Sequence, residues 1–267
     1  MNALGWPGFA DVSLAGLLFL CLAAFAAGTV DAVVGGGGLV QLPALMLLGV
    51  GGHPVYAVAT NKVAAVVGTS AALRTYARRT RIRWRSAVPM AATALAGAYG
   101  GATVADKLSP GALNGIVLTA IAGVGYYTWR RRELGLHEST RFGPRAELAL
   151  MTLGGAVLGF YDGMTGPGTG SFLVFLLVGL LGFAFLRASA TAKVVNVATN
   201  IGALAYFAPA GKVLWGLGLA MAVFNLAGGL VGAGVAVRYG SVFVRHVFLA
   251  VVATLLVTLG WRVAFGG

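Results

Sequence analysis

Laid over itself with residue 28 on residue 159, the sequence repeats. GTVDAVVGGGG at 28–38 meets GFYDGMTGPGT at 159–169, ATNKV at 59–63 meets ATAKV at 190–194, and Trp84 meets Trp215. Gly97 and Gly101 meet Gly228 and Gly232, and about a third of the positions from 28 to 106 are identical without a gap. The fold must therefore be built twice. The first repeat is read as 1–135, a basic connector as 136–145, and the second repeat as 146–267.

Each half carries five apolar segments, near 13–34, 39–50, 55–74, 86–105 and 111–129, and again near 146–161, 170–182, 187–207, 213–236 and 243–263. Hydrophobic residues make up 58% of the 267-residue chain and charged ones 10%, against roughly a quarter charged in a soluble domain. Apolar runs of about 20 residues without barrel-type alternation predict an all-α, polytopic membrane protein in contact with the lipid bilayer. No room is left for a separate soluble domain. The first twelve residues hold no Lys or Arg, so the first segment is expected to stay as a span rather than act as a signal peptide.

The net charge of +12 does not point to nucleic acid. Arg74, Arg78, Arg79, Arg81, Arg83 and Arg85 crowd one loop, and Arg130, Arg131, Arg132, Arg141 and Arg145 another. Basic clusters in short loops beside apolar spans are orientation signals, which puts loops 74–85 and 130–145 on the cytoplasmic side of the membrane. Loop 74–85 has six arginines, whereas its repeat partner near 205–216 has only Lys212; the imbalance reverses between loop 106–110 and the region of Arg238 and Arg245. Equivalent loops of unequal charge should face opposite sides. This predicts inverted repeats of five crossings each, both termini outside, with broken helices meeting near the bilayer midplane. The alternative folds each short second segment back as a re-entrant hairpin.

Two of the seven acidic residues, Asp31 and Asp162, sit against apolar runs and are repeat equivalents. So are Lys62 and Lys193, which follow their respective aspartates at the same spacing. Intramembrane charges are expensive and face partners or transport paths. One reading is two Asp–Lys pairs that only lock helices together; the other adds substrate binding. After each aspartate the helix breaks, at Gly35, Gly36, Gly37 and Gly38 and at Gly166, Pro167, Gly168 and Thr169. The short helix that follows would aim orphan N–H groups and its dipole at the break, which suits an anion. Lys193, Asn196 and Asn200 share one helix face, matched by Lys62 and Thr69, with Asn61 added; they are read as a cavity wall. Thr165, Thr169 and Ser171 add hydroxyls from the second half only.

Gly97/Gly101 and Gly228/Gly232 are read as close helix packing, and Asn114 and Asn225 as interhelical glue. His53, His137 and His246 lack ligand partners at metal spacing, Cys21 is single, and no P-loop is present. No metal, cofactor or catalytic site is expected. The chain is read as a non-enzyme.

GTVDAVVGGGGLVQLPALMLLG followed by ATNKVAAVVGTSAALRTYARRTRIRW resembles the first half of the TauE/SafE family of membrane transporters. GFYDGMTGPGTGSFLVF followed by ATAKVVNVATNIGALAYF is similar to its second half. The resemblance covers roughly residues 12 to 260. It implies an inner-membrane permease for sulfite or a small organosulfonate such as sulfoacetate, working as an exporter. The expected partners are a small anion, protons if transport is coupled to them, and a second copy in a homodimer. The rival readings are proton-coupled uptake of another anion and a non-transporting membrane scaffold.

Overall fold

The computed structural model describes residues 8–9, 12–107, 109 and 141–265, with side chains beyond Val244 described only at His246, Val247 and Ala250. The expected segment 111–129, the arginines at 130–132 and the connector up to 140 lie outside these residues.

Helix α1 (Leu14–Val34) opens on Ser13, whose hydroxyl accepts the Gly16 N–H at 3.1 Å. It ends where Gly35 turns left-handed at φ 80°, its N–H closing on the Asp31 carbonyl at 2.8 Å. A side chain would be strained there, so glycine ends the helix cleanly. Helix α2 (Gly38–Leu47) is only 10 residues long. Helix α3 (Pro54–Arg79) starts on a proline and finishes on Arg78 and Arg79, as its dipole favours. Helix α4 covers Trp84–Ala105.

The second half repeats the order. Helix α5 (Pro144–Met164) leads to the break, α6 (Thr169–Phe175) widens into a π turn at Leu176–Leu180, and α7 covers Phe185–Phe207. Helix α8 (Trp215–Phe265) is broken at Gly240, with φ 72° and ψ −165°. The non-helical backbone at Gly240 divides this run into two helices, in line with the expected segments 213–236 and 243–263. By length and composition, 14–34 and 215–244 are the two described stretches apolar enough to cross a membrane.

The short segments fold back rather than cross. Arg141, just before α5, donates to the Gly179 carbonyl at 2.8 Å, so the chain after α6 returns to the end where α5 began. In the first half, a Cβ on Gly16 would lie 3.3 Å from Leu48, so α2 returns to the start of α1. The tip glycines 35–37 are buried. Five full crossings per half therefore give way to the hairpin alternative. The physical reason is length: a ten-residue helix rises only about 15 Å.

Packing is symmetric under exchange of the halves. A Cβ on Gly97 would lie 2.4 Å from the Ala156 carbonyl and one on Gly101 1.9 Å from that of Phe160; Gly228 and Gly232 meet the carbonyls of Phe25 and Thr29 at 2.1 and 2.3 Å. These are the same contacts made between repeat-equivalent positions. The small-residue pattern read from the sequence is the close packing of α4 on α5 and of α8 on α1. It mixes the halves: α8 packs on α1 and α3, while α4 packs on α5 and α7. Helices α3 and α7 run antiparallel along the seam between these two groups, with the Leu214 N–H after α7 donating to Thr60 near the start of α3.

One end of the bundle is basic. There Arg83 bonds Glu147 at 2.8 Å, and the guanidinium groups of Arg83 and Arg187 lie 5.4 and 5.5 Å from the centre of the Phe183 ring. At the other end Lys212 meets Asp106 at 3.2 Å.

Candidate functional site

The two breaks touch. A Cβ on Gly35 would lie 2.3 Å from the Gly170 carbonyl carbon, and one on Gly170 2.4 Å from the Gly35 Cα. The Ser171 N–H donates to the Gly35 carbonyl at 3.1 Å and the Ser171 hydroxyl to that of Val34 at 3.2 Å. From α7, the Ser189 hydroxyl donates to the Val33 carbonyl at 3.2 Å. Only glycine at positions 35 and 170 lets two main chains approach this closely.

The buried charges sit beside this crossing, and their partners are exchanged. Lys62 Nζ lies 2.7 Å from Asp162 Oδ2 and 2.7 Å from the Asp162 carbonyl. Lys193 Nζ lies 3.0 Å from Asp31 Oδ2 and also donates to the Asp31 carbonyl. The sequence matches each aspartate with the lysine downstream in its own half; the structure pairs it with the lysine of the other half. The reason lies in the packing, because the tip of α1 is set against α7 and the tip of α5 against α3. Each ammonium therefore holds a carboxylate and the last main-chain turn before a break.

The two pairs are staggered along the seam. Lys62 is eight residues into α3 and Lys193 eight residues into α7, so each lies about 12 Å from the end where its helix starts. Since those helices are antiparallel, the pairs flank the crossing from opposite ends.

The remaining expected residues divide. Asn61, Thr69, Asn196 and Asn200 are buried on α3 and α7 as the stripe predicts. The Thr69 hydroxyl donates to Asp31 Oδ2 at 3.1 Å, and Asn200 Nδ2 donates to the Asn196 carbonyl at 2.7 Å. Asn196 faces Gly170: its Nδ2 would be 2.8 Å from a Cβ there, and its buried Oδ1 has no partner among the described residues. Gly168 adopts φ 79° and starts α6. Gly36, Gly37 and Gly38 form the turn into α2, with Gly37 packed on Asp31 Cβ. The second-half hydroxyls are engaged with main-chain carbonyls. Thr165 donates to Tyr161 O at 3.4 Å and Thr169 to Gly166 O at 3.0 Å, while Ser171 donates across the crossing. Those protons are engaged by main-chain carbonyls at the break, two of which also accept the Thr165 and Thr169 N–H groups, so these side chains brace the broken backbone.

Three contributors were not read from the sequence. The Tyr161 hydroxyl donates to the Pro167 carbonyl at 2.7 Å and that of Tyr76 to the Ala32 carbonyl at 2.9 Å, steadying both hairpin tips. Gln41 accepts from Asn225 Nδ2 at 2.7 Å, which makes Asn225 the interhelical glue expected of it. A lone glutamine in an apolar segment was the signal available for this pair.

Residues 20–259 match the family described as Sulfite exporter TauE/SafE. Among curated proteins, the chain is 34% identical to a probable membrane transporter protein, ORF9, of a Sinorhizobium species, over 93% of this chain and 94% of that one. It is 33% identical to the probable membrane transporter protein YfcA of Escherichia coli K12, over 91% and 88%. A probable membrane transporter protein of Haemophilus influenzae is 31% identical, over 88% and 91%. No solved structure matches. With the match covering nearly its whole length and these relatives beside it, the chain belongs to the TauE/SafE family of membrane transporters.

Proposed function

We propose that the protein exports a small sulfur-containing anion, sulfite or an organosulfonate such as sulfoacetate, across the bacterial inner membrane by alternating access. The observation that carries this reading is the crossing of two broken helices between two buried lysines. Ionisable groups at such depth mark transport paths, and paired broken helices are the usual binding site of secondary transporters. With each aspartate cancelling a lysine, the site is neutral at rest. An anion that displaces one carboxylate meets an ammonium, the amide of Asn196 and the turn at Gly36–Gly38. Export needs no coupled ion: a potential of about 100 mV, negative inside, drives each exported negative charge by about 2.3 kcal/mol.

The symmetric packing supports an inverted repeat with the arginine-rich end cytoplasmic. A hairpin that returns to its own side leaves three crossings per half when the expected segment 111–129 is counted, and an odd number inverts the second half. The bodies that rock are the mixed groups: α1 and α3 with α8, against α5 and α7 with α4. Both ion pairs span the seam between them. Flux of labelled sulfite and sulfoacetate from proteoliposomes tests the reading. Potential-dependent efflux of either is the expected result, and silence to sulfite, sulfoacetate and taurine alike overturns it.

A further inference from the structure

The two ion pairs are related by symmetry but not by surroundings. The Asp31 side chain is 17% exposed, that of Asp162 7%. The Asp31 carboxylate already has a second donor in the Thr69 hydroxyl at 3.1 Å. At the equivalent position stands Asn200, whose amide donates to the Asn196 carbonyl instead. Among the described residues, Lys62 is the side-chain partner of Asp162, and its ammonium is sealed under Gly166, where a Cβ would lie 2.9 Å from Nζ.

A third candidate donor, Gln41, stands on the helix that follows the break after Asp31. Gln41 is 1% exposed and its Nε2 has no partner among the described residues. Its position is fixed from three elements. On α2 it lies one turn beyond Gly37, on the face packed against Asp31 Cβ, and helical side chains lean back over the preceding turn. Its Oε1 is held by Asn225, whose main-chain carbonyl abuts Gly28, three residues before Asp31. The Asn225 side chain abuts Gly68, next to Thr69. A buried amide donor left open costs stability unless some state of the protein uses it. The equivalent position in the second half is Phe172, which packs edge-on against Tyr161 at 5.3 Å.

We infer that the pairs have different jobs: Lys193 leaves its aspartate to take the transported anion, Asp31 being received by Thr69 and Gln41, while Lys62–Asp162 remains a fixed clamp. This rests on the anion-transport reading above. A lysine can leave a buried carboxylate only if other donors replace it. Asp31 has Thr69 in contact and Gln41 on the adjoining turn of α2, whereas among the described residues Asp162 has no such second side-chain donor. Asn225 orients Gln41 by binding its oxygen, which turns the NH2 group away from α8.

The test is thermal-shift titration of the purified full-length protein with sulfite and with sulfoacetate, comparing variants that remove both charges of a pair together. Lys193→Met/Asp31→Leu should raise the half-saturating concentration by about a hundredfold or more, equivalent to two decades of affinity. Lys62→Met/Asp162→Leu should leave the half-saturating concentration within about tenfold of the unsubstituted protein. Gln41→Leu leaves both pairs in place, so it decides the matter even if a pair variant fails to fold; it should weaken anion binding about three- to tenfold. Equal weakening by the two pair variants, or unchanged binding in Gln41→Leu, overturns the division of labour. A wild-type protein with no shift in either anion overturns the transport reading itself, an outcome separate from the other two.

Discussion

Lys62 of the first half holds Asp162 of the second, with Nζ 2.7 Å from both the carboxylate and the main-chain carbonyl. The contact is buried and joins α3 to the last turn of α5. Lys62→Met alone strands the carboxylate and should cost about 3–5 kcal/mol, whereas Lys62→Met/Asp162→Leu should recover most of that loss. Denaturation of the purified variants in detergent measures both. A single variant as stable as the double one would show that the charge is not truly enclosed.

Gly101 and Gly232 should behave as twins. Alanine at either puts a methyl far inside van der Waals contact with a facing carbonyl, at 1.9 Å from Phe160 O or 2.3 Å from Thr29 O. Each substitution should lower stability by about 2 kcal/mol or more, since the helices must separate. Gly234, on the same helix as Gly232, faces nothing within 4 Å among the described residues. Gly234→Ala should be neutral or gain up to about 1 kcal/mol from helix propensity. Melting temperatures of the three variants decide this.

Strain and crowding can be separated at the first break. Gly35 and Gly52 are both left-handed, at φ 80° and φ 72°, but only Gly35 faces another main chain. Gly52→Ala should cost about 1–2 kcal/mol from backbone strain alone. Gly35→Ala should prevent assembly of the crossing, measured as loss of monodisperse protein on size exclusion. Equal effects of the two would argue against contact between the breaks.

Tyr161→Phe removes the hydroxyl that satisfies the Pro167 carbonyl. The expected loss is about 1–3 kcal/mol, because the carbonyl is left without that donor. Tyr76→Phe should do the same for Ala32 in the other hairpin. Hydrogen exchange should quicken at the hairpin tip concerned, and only there.

The break positions, the close-packed glycines and the buried charges were legible because each is written twice in the chain. Partner choice was not. The spacing from aspartate to lysine is the same in both halves, so it cannot say whether Asp31 meets Lys62 or Lys193. That depends on which helix lies across the tip of α1, and hence on packing between segments far apart in sequence. The hydroxyls of Thr165, Thr169 and Ser171 were visible as polar residues beside a break. Their use was hidden, because a broken helix creates carbonyls that need donors before any ligand does. Gln41 escaped notice because its partner Asn225 stands 184 residues away.

The exchanged pairing also sets a timetable for biosynthesis. Lys62 precedes its partner by 100 residues and Asp31 precedes Lys193 by 162. At about 5–20 residues per second, the ribosome delivers the second member of the first pair roughly 5–20 s after the first, and of the other pair later still. For that interval the nascent first half holds a lone cation and a lone anion inside apolar segments. Neither half can neutralise itself by its native contacts. A truncated chain ending before Asp162 therefore leaves both Lys62 and Asp31 without their native partners.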